Sequence, residues 1–346
     1  MEQTENNNKC CPSQLRYDEV SRDWVVIAPG RGKRPEAFKR ERIHSPITPQ
    51  DCIFCNLEKQ APPIMALANG KKVDAALLPA DWTLAVIPNK FPAFCAVEGA
   101  KICKQRVGPL YHSMDAAGFC EVVVTRSHEK HIALMDVAAV EELIAAYRTR
   151  YLDLKKRDFV KYISIFHNHG VEAGASQPHP HSQIITSPLI DVDVRNALAN
   201  SKRYYQRNKK CISCEMTAWE RKDKARIVYE NKDFIATCPF APKSAFQVII
   251  APKKHSPYFE KITPALIKSL ADIFSAVMKK IYKGLGDPPY NFYLHTAPSD
   301  GGDYSFYHYH WTIMPKTSTM AGFEFGARIE ISTITPESAA EYLRAQ

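Results

Sequence analysis

The sequence lacks any long uncharged hydrophobic run, and this absence excludes several classes of protein. The chain has 346 residues, 45% hydrophobic and 24% charged, and no apolar stretch approaches the roughly 20 residues that cross a bilayer. Its first residues, MEQTENNNKCCPSQ, lack the apolar centre of a secretion signal. We therefore expect a globular cytoplasmic protein with no membrane partner, in which residues 1–20 form a disordered lead-in.

A concentrated basic segment is also missing. The formal net charge is +9, but the lysines and arginines are scattered, without a run of basic residues interleaved with aromatic ones. This distribution does not favour nucleic-acid binding, so we expect no nucleic-acid partner. A modest positive excess also suits small phosphorylated ligands.

Cysteine is frequent but is not arranged as in a small disulfide-rich domain. Four of the ten cysteines form two C-x-x-C pairs, Cys52/Cys55 and Cys211/Cys214. In a reducing compartment this spacing indicates metal binding or redox chemistry. The other six have no such pattern, and we interpret them as buried or incidental thiols: Cys10, Cys11, Cys95, Cys103, Cys120 and Cys238.

The chain contains an internal repeat. Each copy has a C-x-x-C pair, strand-like segments, one long helical segment and two further strands; the helices are predicted to begin after Asp136 and Thr263. His128 and His255 lie 127 residues apart, and His179 and His308 lie 129 residues apart. The repeat predicts an α+β fold, a duplicated unit with an antiparallel sheet and one main helix per repeat. The predicted domains are 21–195 and 196–346.

Each copy supplies two thiols and two imidazoles, a closed set that Zn²⁺ favours. We expect a loop to carry each cysteine pair and separate strands to carry the histidines, which predicts two structural zinc ions. A redox pair, or a single site with four cysteines, is the alternative. The expected ligands are Cys52, Cys55, His128 and His179 in the first copy, and Cys211, Cys214, His255 and His308 in the second.

The stretch QPHPHSQIIT, residues 177–186, carries the candidate chemistry. We expect His179 and His181 to face opposite sides of one strand, so that His179 binds metal and His181 is free to act as a nucleophile. Gln183 offers an amide donor to a phosphoryl oxygen. The second copy has His310 in place of His181 but lacks the upstream residues that would complete a phosphate site, so we expect one catalytic site.

The upstream residues are Asn168, Gly174 and Ser176, which can present an amide, a close backbone and a hydroxyl to phosphate. Together with PHPHSQ and APGRGKRP, they resemble the galactose-1-phosphate uridylyltransferase family of the histidine-triad superfamily, from about Arg22 to the C-terminus. The resemblance implies a HIT-like unit in each domain, a nucleotidyl intermediate on His181, and stabilisation by Gln183. It implies substrate contacts from Arg31, Arg34, Asn89, Asn168, Gly174, Ser176 and Glu324, and zinc on the first ligand set.

The sequence departs from the family pattern at several positions. Ser182 replaces the glycine of the motif H-P-H-G-Q. The glutamate of a second family metal site falls near Ala197, so we favour the second cysteine set, with His295 and His310 as alternative ligands. In the C-terminal segment Glu324 is retained. Three other sugar-phosphate contacts of the family are replaced, at Ser318, Phe323 and Glu330.

The double C-x-x-C pattern with HPHSQ resembles the plant-type branch of the family. That branch implies ADP-glucose and phosphate as substrates, with glucose 1-phosphate and ADP as products. The resemblance to the related enzymes implies a homodimer. The alternatives are uridylyl transfer between UDP-glucose and a hexose 1-phosphate, a phosphorylase or hydrolase of adenylyl sulfate, and a non-catalytic zinc-stabilised binding module.

Overall fold

A computed structural model describes residues 13–29, 38, 48–96 and 102–346, and the structural statements below concern these residues. The described strands are Gln14–Tyr17 (β1), Trp24–Ile27 (β2), Met65–Ala68 (β3), Lys71–Val73 (β4), Leu84–Pro88 (β5), Lys104–Val107 (β6), Tyr111–Met114 (β7), Cys120–Thr125 (β8), Tyr162–His169 (β9), His181–Ser187 (β10), Ile227–Glu230 (β11), Phe234–Thr237 (β12), Val248–Pro252 (β13), Tyr290–His295 (β14), His310–Pro315 (β15) and Ile331–Ser332 (β16). The described α-helices are Val137–Leu154 (α1), Val192–Asn208 (α2), Ile212–Asp223 (α3), Pro264–Leu285 (α4), Gly322–Ala327 (α5) and Pro336–Arg344 (α6).

Eleven strands form one sheet, and its order displays the internal repeat. The order is β11-β12-β13-β15-β14-β9-β10-β8-β5-β3-β4, and its strand pairs are antiparallel. Outward from the central pair β9/β14, the two halves have matching strands in the same order: β10, β8, β5 and β3 on one side correspond to β15, β13, β12 and β11 on the other. The predicted α+β fold with a duplicated antiparallel unit is therefore confirmed.

The two long helices, α1 and α4, lie on one face of this sheet and pack against each other. The carboxylate of Asp136 accepts a hydrogen bond from the Ala139 amide, and the hydroxyl of Thr263 accepts one from the Leu266 amide. Both predicted N-caps are therefore confirmed. Strand side chains alternate between the two faces, so Ile163, for example, joins the core beneath the helices. No described helix is long and apolar enough to cross a membrane.

Two features of the fold differ from what the sequence predicted. Residues Gln14–Tyr17 pair with Trp24–Ile27, so the disordered lead-in predicted for residues 1–20 is wrong for this segment. Residues 1–12 lie outside the described part. Helices α2 and α3 connect the two copies and were not predicted, because their few buried residues give only a weak apolar pattern. The predicted division at residue 195 falls within α2 and stays a prediction.

Candidate active site and metal clusters

The first predicted ligand set forms one cluster at the end of the first half-sheet. The Nδ1 atom of His179 lies 3.5 Å from the sulfur atoms of both Cys52 and Cys55, and the Nδ1 atom of His128 lies 3.3 Å from the sulfur of Cys55. The Nε2–H group of His179 donates to the Thr125 carbonyl oxygen at 2.7 Å. This second bond directs the lone pair of Nδ1 toward the thiols, as in metal sites that use histidine.

The second set repeats this arrangement. The sulfur of Cys214 lies 3.3 Å from the Nδ1 atoms of both His255 and His308. The Nε2–H group of His308 donates to the Pro252 carbonyl oxygen at 2.9 Å, and Pro252 lies 127 residues after Thr125, its counterpart in the first copy. The paired imidazole rings are 5.3 Å apart and nearly perpendicular in the first cluster, and 5.4 Å apart in the second.

The geometry of these two clusters distinguishes two separate metal sites from a single site with four cysteines. In each, the four ligand atoms lie within 4.8 Å of one another, so the two cysteine pairs do not form a single site. Cys211 is the N-cap of α3, so the expectation of a loop holds for the first pair and is wrong for the second. The histidines lie just outside the strands rather than within them. His295 and His310 do not belong to the second cluster.

The donors fit zinc. Zinc–sulfur and zinc–nitrogen bonds of about 2.3 and 2.1 Å in a tetrahedron place sulfur and nitrogen about 3.6 Å apart, close to the separations above. Burial is the main cause that lowers the pKa of His179 to about 4, so the imidazole is neutral, as a metal ligand must be.

The two histidines of QPHPHSQIIT lie on the same side of the sheet, not on opposite sides. The Phe54 ring packs against both, with centroids 5.8 Å from His179 and 4.9 Å from His181. Side chains along a strand alternate with a period of two, so residues two positions apart share a face. The prediction of opposite faces was therefore wrong. The imidazoles are distinguished by their hydrogen bonds instead.

The hydrogen bond of His181 fixes which of its nitrogens is reactive. Its Nδ1–H group donates to the carbonyl oxygen of His179 at 2.9 Å, which leaves the lone pair on Nε2. Within the described chain, Nε2 has no protein hydrogen-bond partner. The residue is 7% exposed, and this burial lowers its pKa, although the bond to the carbonyl opposes the shift. The result is a neutral imidazole with a nucleophilic Nε2.

Ser182 occupies the opposite face of the same strand and is buried. Its Oγ atom lies 2.5 Å from the hydroxyl of Tyr147 in α1 and 3.1 Å from Nδ1 of His167 in β9. The serine at this position therefore has a structural explanation. It connects the strand that begins with His181 both to the helix behind the sheet and to the neighbouring strand.

Asn168 lies beside His181. Ser182 is opposite His167 in the antiparallel register, and the next pair would be His181 and Asn168. The Nδ2 amide of Asn291 donates to Oδ1 of Asn168 and to the Ala173 carbonyl oxygen, both at 2.8 Å. With Oδ1 occupied, Asn168 presents Nδ2 as the group available to a ligand.

The loop that leads into β10 passes next to this amide. Gly174 has φ +84°, and a Cβ atom there would lie 3.8 Å from Nδ2 of Asn168. Ser176 lies in the same loop and is exposed, so its hydroxyl is accessible to a ligand. Gln183 is half-buried on the same face of β10 as His181. The structure thus gathers Asn168, Gly174 and Gln183 around the start of β10.

The remaining predicted substrate residues lie elsewhere. Asn89 follows β5 at the level of Cys120, which is four residues along β8 from Val124, the partner of His181, so Asn89 does not adjoin His181. Glu324 caps its own short helix by accepting from the Ala321 amide at 3.0 Å, and nothing in the described chain brings it to His181. Arg31 and Arg34 lie outside the described residues.

The second copy has a different environment at the equivalent histidine. His310 donates through Nδ1 to the His308 carbonyl oxygen at 3.4 Å, but its Nε2 lies 3.1 Å from Nδ1 of His295. His295 is opposite His310 in the strand register, where the first copy has Asn168. The nitrogen that is open in His181 is thus engaged in His310, which supports a single catalytic site.

A buried neutral histidine with an open Nε2, beside amide donors and a glycine loop, suits an enzyme that forms a covalent intermediate on histidine. The comparison with known families agrees with this class. Residues 2–190 match the N-terminal domain of galactose-1-phosphate uridyl transferase, and residues 197–346 match its C-terminal domain. The chain belongs to the galactose-1-phosphate uridyl transferase family and is an enzyme of the nucleotidyltransferase class.

Individual relatives cover almost the whole chain. The ADP-glucose phosphorylase of Arabidopsis thaliana is 30% identical over 337 residues, which is 96% of this chain and 92% of that protein. The galactose-1-phosphate uridylyltransferase of Thermotoga maritima is 30% identical over 341 residues, covering 96% and 98%. A crystal structure of an Arabidopsis thaliana ADP-glucose phosphorylase with bound ADP-glucose matches with a TM-score of 0.80 and 28% identity, over 96% of this chain and 99% of that one.

Proposed function

We propose that this enzyme transfers the adenylyl group of ADP-glucose to inorganic phosphate through a covalent intermediate on His181. The observation that carries the proposal is the hydrogen bond from Nδ1 of His181 to the His179 carbonyl oxygen, 2.9 Å long, which leaves Nε2 as the nucleophile. The likeness to the Arabidopsis ADP-glucose phosphorylase, whose solved structure holds ADP-glucose, supports the choice of substrate.

In the first step, Nε2 of His181 attacks the α-phosphorus of ADP-glucose. A nitrogen–phosphorus bond forms, the bond from the α-phosphorus to the bridging oxygen breaks, and glucose 1-phosphate leaves. The imidazole gains positive charge as the bond forms, and the carbonyl oxygen of His179 stabilises it through Nδ1–H. In the second step an oxygen of phosphate attacks the α-phosphorus, which releases ADP and restores the neutral imidazole.

The surrounding donors balance charge on the α-phosphoryl oxygens. Asn168 presents Nδ2 because Asn291 occupies its Oδ1. The loop at Gly174 and the amide of Gln183 add donors, and Ser176 adds a hydroxyl from the exposed side. These groups supply positioning and electrostatic stabilisation, which account for most of the catalysis of such transfers.

We further propose that both Cys₂His₂ clusters bind structural Zn²⁺. Bound there, zinc supplies rigidity rather than reactivity, since four protein donors leave no open coordination position. The residue His179 contributes both the metal-binding Nδ1 and the carbonyl oxygen that orients His181. The eight described cysteines form no disulfide with one another, and we propose a reducing, cytoplasmic location. A homodimer is proposed on family resemblance.

Transfer of a labelled adenylyl group to the enzyme tests whether His181 is the nucleophile. Enzyme mixed with ADP-glucose carrying label at the α-phosphorus, without phosphate, should acquire one label per chain, and added phosphate should release it as ADP. His181→Asn should abolish labelling, whereas His310→Asn, in the equivalent position of the second copy, should retain it. Labelling that survives His181→Asn contradicts the assignment.

A second candidate is uridylyl transfer to a hexose 1-phosphate, and the 30% identity to the Thermotoga maritima enzyme favours it. The replacements at Ser318, Phe323 and Glu330 count against it, because they remove a cation and a hydroxyl and add a carboxylate where the family resemblance implies a sugar-phosphate grip. A screen of ADP-, UDP- and GDP-sugars, with phosphate or hexose 1-phosphates as acceptors, separates the two candidates.

A further inference from the structure

A third group of metal-ligating side chains lies on the helix face of the sheet, apart from the two cysteine clusters. One carboxylate oxygen of Asp287 lies 2.9 Å from Nε2 of His169 and 3.3 Å from Nε2 of His131. The histidines are 4% and 3% exposed, and their rings are 4.2 Å apart. Each residue offers one ligand atom, and the three atoms lie within 4.8 Å of one another.

The three residues come from both copies of the repeat. His131 precedes α1, His169 ends β9, and Asp287 follows α4 with φ +52°. The backbone at the end of β9 lies very close to the segment that follows α4. Gly170 has φ +87°, and a Cβ atom on it would come within 2.8 Å of the Cβ atom of Pro289. Only glycine therefore allows the end of β9 to meet the segment that carries Asp287.

The separations match the edges of a coordination sphere. Bonds of about 2.1 Å from a metal ion to nitrogen and oxygen place neighbouring donors about 3.0 Å apart in an octahedron and about 3.4 Å apart in a tetrahedron. The two nitrogen–oxygen distances, 2.9 and 3.3 Å, are close to these two values. In the cysteine clusters the sulfur–nitrogen distances, 3.3–3.5 Å, are likewise close to the separation of about 3.6 Å expected around a tetrahedral zinc ion.

We propose that His131, His169 and Asp287 bind a third metal ion, a divalent first-row transition ion such as Zn²⁺. Two imidazoles and a carboxylate suit a borderline ion of this kind and leave at least one position for water, which can enter beside the partly exposed carboxylate. The rings of Tyr290 and Tyr282, with centroids 4.7 Å from His169 and 5.5 Å from His131, form the wall of the site.

This ion would join the two halves of the sheet next to the catalytic loop. His169 pairs with Tyr290 across the β9/β14 junction, and the next pair along is Asn168 with Asn291. Asn168 points to the catalytic face and His169 to the helix face. Clamping the end of β9 therefore positions Asn168 without contact between the ion and the substrate.

Measuring the zinc content of the enzyme tests the proposed third site directly. Purified full-length enzyme is loaded with excess Zn²⁺, passed through a desalting column and analysed for metal. We expect Asp287→Asn to contain one zinc ion fewer per chain than the wild type. Asparagine tolerates the left-handed conformation at this position, so the backbone is retained. Asp81→Asn, an exposed aspartate, is the matched control and should match the wild type.

Equal zinc content in wild type and Asp287→Asn would overturn the proposal and leave an ion-paired aspartate between two histidines. The test compares the zinc content of the variant with that of the wild type, so it is valid whether or not the cysteine clusters contain zinc. A titration of the wild type with Co²⁺ covers the case in which the variant fails to fold. We expect one equivalent to add ligand-field absorption without thiolate-to-cobalt charge transfer. If every bound equivalent brings charge transfer, the third site does not exist.

Discussion

Replacing Ser182 by alanine should destabilise the sheet at the strand that carries the nucleophile. The change removes one hydroxyl, and with it the contacts of 2.5 Å to the Tyr147 hydroxyl and 3.1 Å to Nδ1 of His167. Both partners are buried, and a buried polar group left unpaired costs about 1–3 kcal/mol. Two such groups give an expected loss of about 2–4 kcal/mol of unfolding free energy, since repacking recovers part of the sum.

Urea unfolding of Ser182→Ala, Tyr147→Phe and the double variant measures this loss and its origin. The double variant should be less destabilised than the sum of the single variants, because the two hydroxyls share one contact. Ser113→Ala, an exposed serine in β7, serves as the control and should change the free energy of unfolding by less than about 0.5 kcal/mol. If Ser182→Ala is as stable as this control, Ser182 does not anchor the strand.

Three further changes test other parts of the site. Cys214→Ser should lower the zinc content by one ion and the melting temperature, because its sulfur is 3.3 Å from two imidazoles; unchanged zinc would contradict the second cluster. Phe54→Ala should increase water-dependent loss of the labelled adduct, because the ring packs 4.9 Å from His181 and covers it; an adduct as durable as in the wild type refutes that shielding. Asn291→Ala should slow adduct formation about tenfold or more, with zinc unchanged, because it frees Asn168 to rotate; a wild-type rate in single-turnover measurements would show that this hydrogen bond does not orient the amide.

The repeat made much of the fold and the metal clusters predictable from the sequence. His128 and His255 occupy matching positions, and so do His179 and His308, so each copy supported the interpretation of the other. The orientation of the catalytic histidine was not predictable. The fixing of the His181 tautomer depends on a backbone oxygen, which leaves no pattern in the sequence.

Long-range partners account for most of what the sequence did not indicate. Ser182 was unexplained because its partners, Tyr147 and His167, lie 35 and 15 residues away on other elements. The third metal-ligating group has no counterpart in the repeat, since the residues 127 positions after His131 and His169 are a tyrosine and a threonine. Without a second copy or a short spacing, three scattered residues give no signal before the fold brings them together.

In the proposed reaction, His181 carries the nucleotidyl group during transfer. The most direct measurement is mass spectrometry of enzyme mixed with ADP-glucose alone, followed by peptide mapping under conditions that preserve a nitrogen–phosphorus bond. We predict an added mass of one adenylyl group (AMP less one water), located on His181, that disappears when phosphate is supplied while ADP forms. Turnover of ADP-glucose without any adduct, or an adduct on another residue, would show that His181 is not the nucleophile.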